Sequence, residues 1–250
     1  MTSLAYEIED AVVDAWPAPE CDELDGWWLR ASGGPTRRGN SVATLAAGPV
    51  VLSDRIERAE AFYRARSLRP MFQVGPAAAP KGLDAALEER GYHIEGEAIA
   101  AVASPREVVG RLPRTLETSV GTQPSESWLQ HAGRTGRFSE SYDIFTDMLA
   151  RLGTRCRFVT VRDARGNVTG TCLGVSSEER LGVYAMLTTP AARRKGAGSA
   201  ALRALAESAL AEGMRELYLL VEVANTPARA LFARAGFTDL YRYHYRVLEA

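Results

Sequence analysis

Leu187-Thr188-Thr189-Pro190-Ala191-Ala192-Arg193-Arg194-Lys195-Gly196-Ala197-Gly198-Ser199 is the stretch that decides the fold. Before it, Leu181–Thr188 (LGVYAMLT) reads as a mostly apolar strand; after it, Gly198–Gly213 reads as a long helix. In that helix Leu202, Leu205 and Leu210, with Ala201, Ala206 and Ala209, share one face, and Gly213 suits the stop. Strand, cationic glycine loop and helix together suit a pyrophosphate. The first N–H groups of a helix have no intrahelical acceptor, its dipole favours negative charge there, and glycines let the backbone come close. Arg193, Arg194 and Lys195 add charge-assisted contacts.

Outward from this loop the order is simple. Arg157–Val161, Val168–Val175 and Leu181–Thr188, joined by short turns, predict an antiparallel meander. Ahead of it, Ser125–Gly133 and Ser139–Leu152 are predicted helices, the second through Phe145, Met148, Leu149 and Leu152. Downstream come a strand at Leu217–Glu222, a helix at Thr226–Ala235 stopped by Gly236, and a strand at Phe237–Val247 with Tyr241, Tyr243 and Tyr245 on one face.

The N-terminal half follows a similar plan, with strands at Trp27–Ala31 and Ser41–Ala46, a capped helix at Ser53–Arg66, a strand at Met71–Val74, a helix at Gly82–Arg90 and a strand from Gly91 to Ala103. The strand–helix–strand–helix–glycine-aromatic–strand order recurs about 140–145 residues later. The loop equivalent to the cationic one, Ala47-Gly48-Pro49-Val50-Val51-Leu52, has no cation and no Gly-x-Gly, and Ser53-Asp54 places a hydroxyl and a carboxylate at the helix start. One cofactor per chain, in the C-terminal half, is expected. Ser104–Pro124, with three prolines, is the candidate linker. The expected division is 1–104, then 105–124 as linker and first strand, then 125–250 as the cofactor-binding domain.

Two phosphate-binding patterns compete at the loop. Gly196-x-Gly198-x-x-Ala201, with Glu222 ending the next strand, matches a Rossmann fingerprint and would imply an NAD(P)-dependent oxidoreductase. That fingerprint's first glycine follows its strand almost at once, whereas Thr189–Lys195 intervene here, and the preceding strands form a meander. The second pattern carries further. Arg193-x-x-Gly196-x-Gly198 resembles the pyrophosphate loop of the GNAT acyltransferases, and Asn225-x-x-Ala228-x-x-Leu231-Phe232-x-x-x-Gly236-Phe237 resembles that family's second signature. The likeness covers roughly Arg155–Val247, and the whole chain resembles a tandem GNAT, an α+β fold, with a degenerate first half.

The resemblance implies acetyl-coenzyme A as co-substrate, held by Arg193, Arg194, Lys195, Gly196, Ala197, Gly198 and Ser199. It also implies that the strand before the loop splays, leaving backbone at Met186, Leu187 and Thr188 for the pantetheine amides, and it places Asn225 and Phe232 beside the cofactor arm. Many family members have a tyrosine acid at the position of Phe232, which has no proton to donate. Tyr241, Tyr243 and Tyr184 are the candidate replacements, and Glu222 the candidate base, directly or through water. Trp28, Arg30, Asn40 and Ser41 are candidate acceptor contacts, on the expectation that the acceptor enters between the halves.

Composition removes other classes. With 46% hydrophobic and 24% charged residues and a net charge of −1, the chain is ordinary globular protein without a global pull toward nucleic acid or anionic membrane. No apolar run approaches the roughly 18 residues of a membrane span, and the acidic N-terminus lacks the features of a signal peptide. Three scattered cysteines and three isolated histidines supply no metal-ligand spacing, so no metal is expected. A cytoplasmic N-acetyltransferase acting on a small-molecule amine, as monomer or homodimer, is the expectation; a CoA-binding module without turnover is the alternative that Phe232 motivates.

Overall fold

The computed structural model describes residues 3–34, 36–135 and 138–249. It is an α+β fold whose chain forms two compact units, residues 1–99 with 241–250, and residues 100–240.

In the first unit, α1 (Leu4–Asp14) is followed by β1 (Glu20–Leu24), β2 (Trp27–Ala31), β3 (Val42–Ala43), α2 (Leu52–Arg64), β4 (Met71–Val74), α3 (Leu83–Glu89) and β5 (His93–Ala103), whose last residues belong to the second unit. β1, β2 and β3 pair antiparallel in sequence. β3 and β4 are parallel, Val42 opposite Phe72, with α2 as the crossover between them. The chain's final strand closes this sheet, Val247 opposite Met71 and His244 opposite Val74. Edge-to-face rings hold the core, Trp27 on Phe72 at 5.6 Å and Phe72 on Tyr92 at 5.5 Å, with Ile56, Tyr63, Leu83 and Leu87 fully buried around them.

The second unit begins with α4 (Pro105–Arg111) and β6 (Glu117–Gly121), both inside the stretch whose prolines suggest a linker. Proline suits the first turn of a helix, where its missing N–H costs nothing, and Pro105 sits there. Next come α5 (Glu126–Leu129), continued by a π-helical turn at Gln130–Arg134, and α6 (Tyr142–Leu152). The predicted meander is β7 (Cys156–Arg162), β8 (Val168–Ser177) and β9 (Arg180–Thr188), antiparallel throughout, with β6 on the outer side of β7. Then follow α7 (Ala197–Ala211), β10 (Glu216–Glu222), α8 (Thr226–Ala235) and β11 (Thr238–Val247), whose residues from Tyr241 onward belong to the first unit, with β10 parallel to β9.

Alanines at 200, 201, 204, 206 and 209 bring α7 close to the sheet, and Gly174 leaves the space that Leu205 fills, since a Cβ there would lie 2.5 Å from Leu205 Cδ1. The far side of the same sheet is covered by α5 and α6. Trp128 packs edge-on against Phe158 at 4.9 Å, and Phe138 stacks on Phe145 at 4.1 Å.

One sequence expectation needs correcting. α2 begins at Leu52 with Val51 as its N-cap and no side-chain cap; Ser53 Oγ instead bonds Asp54 Oδ1 at 3.0 Å. The repeated order does hold: β3–α2–β4 and β9–α7–β10 are both parallel strand pairs joined by a helix, and in each half a second helix and a strand follow.

Candidate functional site

β9 and β10 pair from Arg180/Glu216 to Val183/Leu219, and the register ends there. The remaining five residues of β9 continue alongside β8 only, so the two parallel strands separate. At the same level β9 bulges. Tyr184 faces Leu173 and Leu187 faces Thr171, so two residues of β9 stand against one of β8, and Ala185 takes φ +43°.

The bulge shifts the alternation of side chains by one residue. Val183 faces the α7 side, as its partner Gly174 does; beyond the bulge it is Met186 and Thr188 that face α7. A Cβ on Gly198 would lie 3.0 Å from Leu231 Cδ2, 3.8 Å from Thr188 Oγ1 and 3.9 Å from Met186 Cε. Gly198 is therefore where the start of α7, the end of β9 and α8 meet, and glycine keeps that junction open.

The loop itself is tightly wound. Pro190–Ala192 form a 3-10 turn, Lys195 N donates to Ala192 O at 3.2 Å, and Arg194 and Gly196 take φ +64° and +90°. Gly196 is the N-cap of the 15-residue α7, without a side-chain cap and with no acid in the first turn. The first intrahelical bond runs from Ala200 N to Gly196 O at 2.9 Å, so the N–H groups of Ala197, Gly198 and Ser199 have no acceptor within the helix. Arg193, Arg194 and Lys195 are exposed around this mouth. Sequence inspection missed a fourth cation: Arg234 of α8 donates to Ser199 Oγ at 3.4 Å. An exposed arginine on a helix carries no signal until the fold sets α8 beside α7.

Asn225 is the N-cap of α8, its Oδ1 accepting Ala228 N at 3.3 Å. Phe232 is buried, its ring 5.8 Å from that of Phe237. Glu222 lies exposed at the end of β10 and, with Tyr218, on the sheet face away from α7. Tyr184, on that same face, donates to the Tyr218 hydroxyl at 3.0 Å.

The other candidates belong to the first unit. Tyr241 and Tyr243 are buried there, and burial pushes the Tyr243 phenol far up. Trp28 is exposed on β2, whereas its neighbours are used internally. Arg30 is 1% exposed and donates to Ser41 O and Ser41 Oγ, both at 3.1 Å. Asn40 ties its own loop, accepting Ser32 N and Gly33 N and donating to Gly34 O and Thr36 O. His93, Glu95 and Glu249 converge to within 4.8 Å, closer than their sequence spacing suggests, but Arg37 and Arg69 already pair with Glu95 at 3.3 and 3.6 Å. Burial raises the thiols of Cys156 to about 11 and Cys172 to about 12, which keeps both un-ionised and unreactive at neutral pH.

Residues 2–246 match the family described as "Probable histone acetyltransferase Rv0428c C-terminal". The uncharacterized N-acetyltransferase YobR of Bacillus subtilis (strain 168) is 30% identical over 249 residues, spanning 96% of this chain and 97% of that protein. Among solved structures, a GCN5-related N-acetyltransferase from Kribbella flavida superposes with a TM-score of 0.71 at 16% identity, over 100% of this chain and 97% of the other. A tandem GNAT protein from the clavulanic acid biosynthesis pathway superposes with a TM-score of 0.69 at 14% identity, over 97% of this chain and 87% of the other. With a family match over nearly its whole length, the chain belongs to the Rv0428c C-terminal family, a branch of the GNAT acetyltransferases.

Proposed function

We propose that the protein transfers an acetyl group from acetyl-coenzyme A to a primary amine, with one acetyl-CoA held by the second unit. The observation that carries this reading is the mouth of α7. A long helix presents unbonded N–H groups, no capping side chain and no first-turn acid to the point where β9 leaves β10. Arg193, Arg194, Lys195 and Arg234 surround that mouth, which suits a diphosphate. Past it, the separated edge of β9 at Met186–Thr188 offers backbone groups to the two amides of the pantetheine arm.

Acyl transfer then needs little from the protein at the leaving group. A thiol with a pKa near 8.5 departs as thiolate at neutral pH without a strong acid, so a phenylalanine at 232 is compatible with turnover. Glu222, exposed on the sheet face opposite α7, is the proposed outlet through which the acceptor's proton reaches water. Glu222→Gln with unchanged turnover at every pH would remove it from the mechanism.

Thermal shift with acetyl-CoA, CoA and NAD(P), followed by a thiol-release screen over small amines and lysine-containing histone peptides, tests the whole reading. Ligand at 100 times its dissociation constant adds about 2.7 kcal/mol of stability. Stabilisation by acetyl-CoA with amine-dependent thiol release is expected. Binding with no release for any amine would leave a CoA-binding module, and stabilisation by NAD(P) alone would reject the proposal.

A further inference from the structure

The sheet of the second unit has two faces, and the mouth of α7 uses only one. The other is defined by register. Phe158, Leu173 and Tyr184 lie in one row across β7, β8 and β9, and Thr160, Thr171 and Leu187 lie in the next. Trp128 of α5 packs on Phe158 and donates from Nε1 to Cys172 O at 3.3 Å, so α5 and its π-helical continuation cover this face. Tyr218 and Glu222 of β10 share it, and the β9–β10 separation opens at its edge.

Two polar atoms on this covered face have no partner. His131 follows Trp128 by three residues, one helical turn, and stands in the π-helical turn; it is 8% exposed, and its Nε2 is buried without a hydrogen bond. Thr171 is 0% exposed, and its Oγ1 is likewise buried without one. Each such atom carries the full cost of leaving water, which a ligand's polar group would offset. π-helical turns themselves concentrate at functional sites because the inserted residue breaks the regular ladder.

We propose that His131 and Thr171 form the receptor for the acceptor amine, with His131 accepting the proton that the amine loses. This rests on the acetyl-transfer reading above. The neutral amine attacks the thioester carbonyl carbon, a C–N bond forms, and the nitrogen's proton passes to the imidazole. The C–S bond then breaks, coenzyme A leaves as thiolate, the imidazolium releases its proton to water by way of Glu222, and the thiolate takes one from solvent. Amine and acyl thioester become amide and thiol, with the histidine unchanged.

The surroundings suit a base. Burial holds the His131 imidazole below the usual histidine range, so it is neutral at pH 7 and offers a lone pair. The aromatic hydroxyls that pack around the turn come from Tyr142 of α6, which lies against Gly133, and Tyr184 of β9. Among the described residues, the charged ones from α5 through α6, Glu126, Arg134, Glu140, Asp143, Asp147 and Arg151, are exposed.

The test compares parent, His131→Gln, His131→Phe and Thr171→Val for acetyl-CoA affinity by calorimetry, melting temperature, and kcat/KM against pH with the amine found by the thiol-release screen. All three variants should bind acetyl-CoA within about twofold of parent, and His131→Phe and Thr171→Val should melt at or above its temperature, because each of those two removes a polar atom that makes no bond. Loss of the proton acceptor should lower kcat/KM by about 100-fold or more. The acidic limb of the parent profile, falling below pH 6.5, should vanish in His131→Gln. Thr171→Val keeps the shape and removes the hydroxyl, and should raise KM for the amine several-fold with kcat held. A His131→Gln variant with parental kcat/KM and the same acidic limb would overturn the proposal while acetyl transfer stood. Variants that lose stability and acetyl-CoA affinity together would assign both residues to packing and overturn it too. A parent chain that binds no acetyl-CoA would reject the proposed function itself.

Discussion

Asp25 pairs with the buried guanidinium of Arg55 where the first unit's loop enters α2, and its carboxylate also accepts Val50 N at 3.0 Å. The same guanidinium donates to Gly48 O at 2.8 Å and Val50 O at 3.0 Å. In the second unit the matching place, ahead of α7, has neither a carboxylate nor a side-chain cap. The first unit thus supplies its own anion, and Asp25 occupies the space beside Gly48 so closely that a Cβ there would clash. Titration calorimetry should return one acetyl-CoA per chain. Asp25→Ala should destabilise the fold by about 3–5 kcal/mol in denaturant titration, because Arg55 would be left buried without a counter-charge. Two equivalents, or an Asp25→Ala variant within 1 kcal/mol of parent by that measure, would contradict this account.

At the α7 mouth, Arg193, Arg194 and Lys195 are exposed, and their charge adds to a site that the backbone already forms. Arg193→Ala combined with Arg194→Ala should weaken acetyl-CoA by roughly 10- to 100-fold, since charge-assisted hydrogen bonds contribute about 1.5–3 kcal/mol each when sheltered and less when exposed. Exposed side chains hold little of the fold together, so the melting temperature without ligand should hardly move. Affinity measured at low and high salt should converge between parent and variant, because added ions screen what the arginines supply.

Gly196 tests the geometry instead of the charge. Its φ of +90° sets the entry angle of α7, and a Cβ would approach Thr115 Oγ1 at 3.2 Å. Gly196→Ala should cost about 1–2 kcal/mol of stability and also weaken acetyl-CoA, because relieving the strain turns the N–H groups away. A variant with full affinity would show that the cations suffice.

Much of this was legible in the residues because two periods and two glycine loops were clean. The meander, α7, α8 and the cationic mouth all follow from patterns that the fold only had to bring together. The bulge at Ala185 left no trace: LGVYAMLT is apolar on both faces, so a one-residue slip in alternation changes nothing visible. α4 hid behind prolines that also suit a linker, and β1 hid in the acidic, exposed ECDEL. α1 is short and acidic, and only Ile8, Ala11 and Val12 mark its buried face. His131 gave no signal, since no local motif accompanies it; its orphan nitrogen exists only once α5 is laid on the sheet.

Glu9 supplies a pH prediction of the same kind, a carboxyl whose state depends on burial alone. It is 2% exposed on α1 and accepts Ala77 N at 3.2 Å, with Gly75 packed against its carboxyl. Burial raises its pKa from the usual 4.5 to about 7, the Ala77 bond opposing that shift only in part. Below pH 4.5 the group is protonated whether the chain is folded or not, and its neutral form fits the site. Between pH 4.5 and 7 the unfolded chain gives up the proton while the folded one keeps it, so stability falls as pH rises through that window and then levels off. A difference of this size corresponds to about 3 kcal/mol. Denaturant titrations at pH 5 and pH 8 should show the parent losing most of that amount, about 2.5 kcal/mol, relative to Glu9→Gln, which keeps an amide oxygen for Ala77 and cannot ionise. Parallel stability curves for the two proteins would mean that Glu9 is charged at pH 8 without penalty, and that water reaches it.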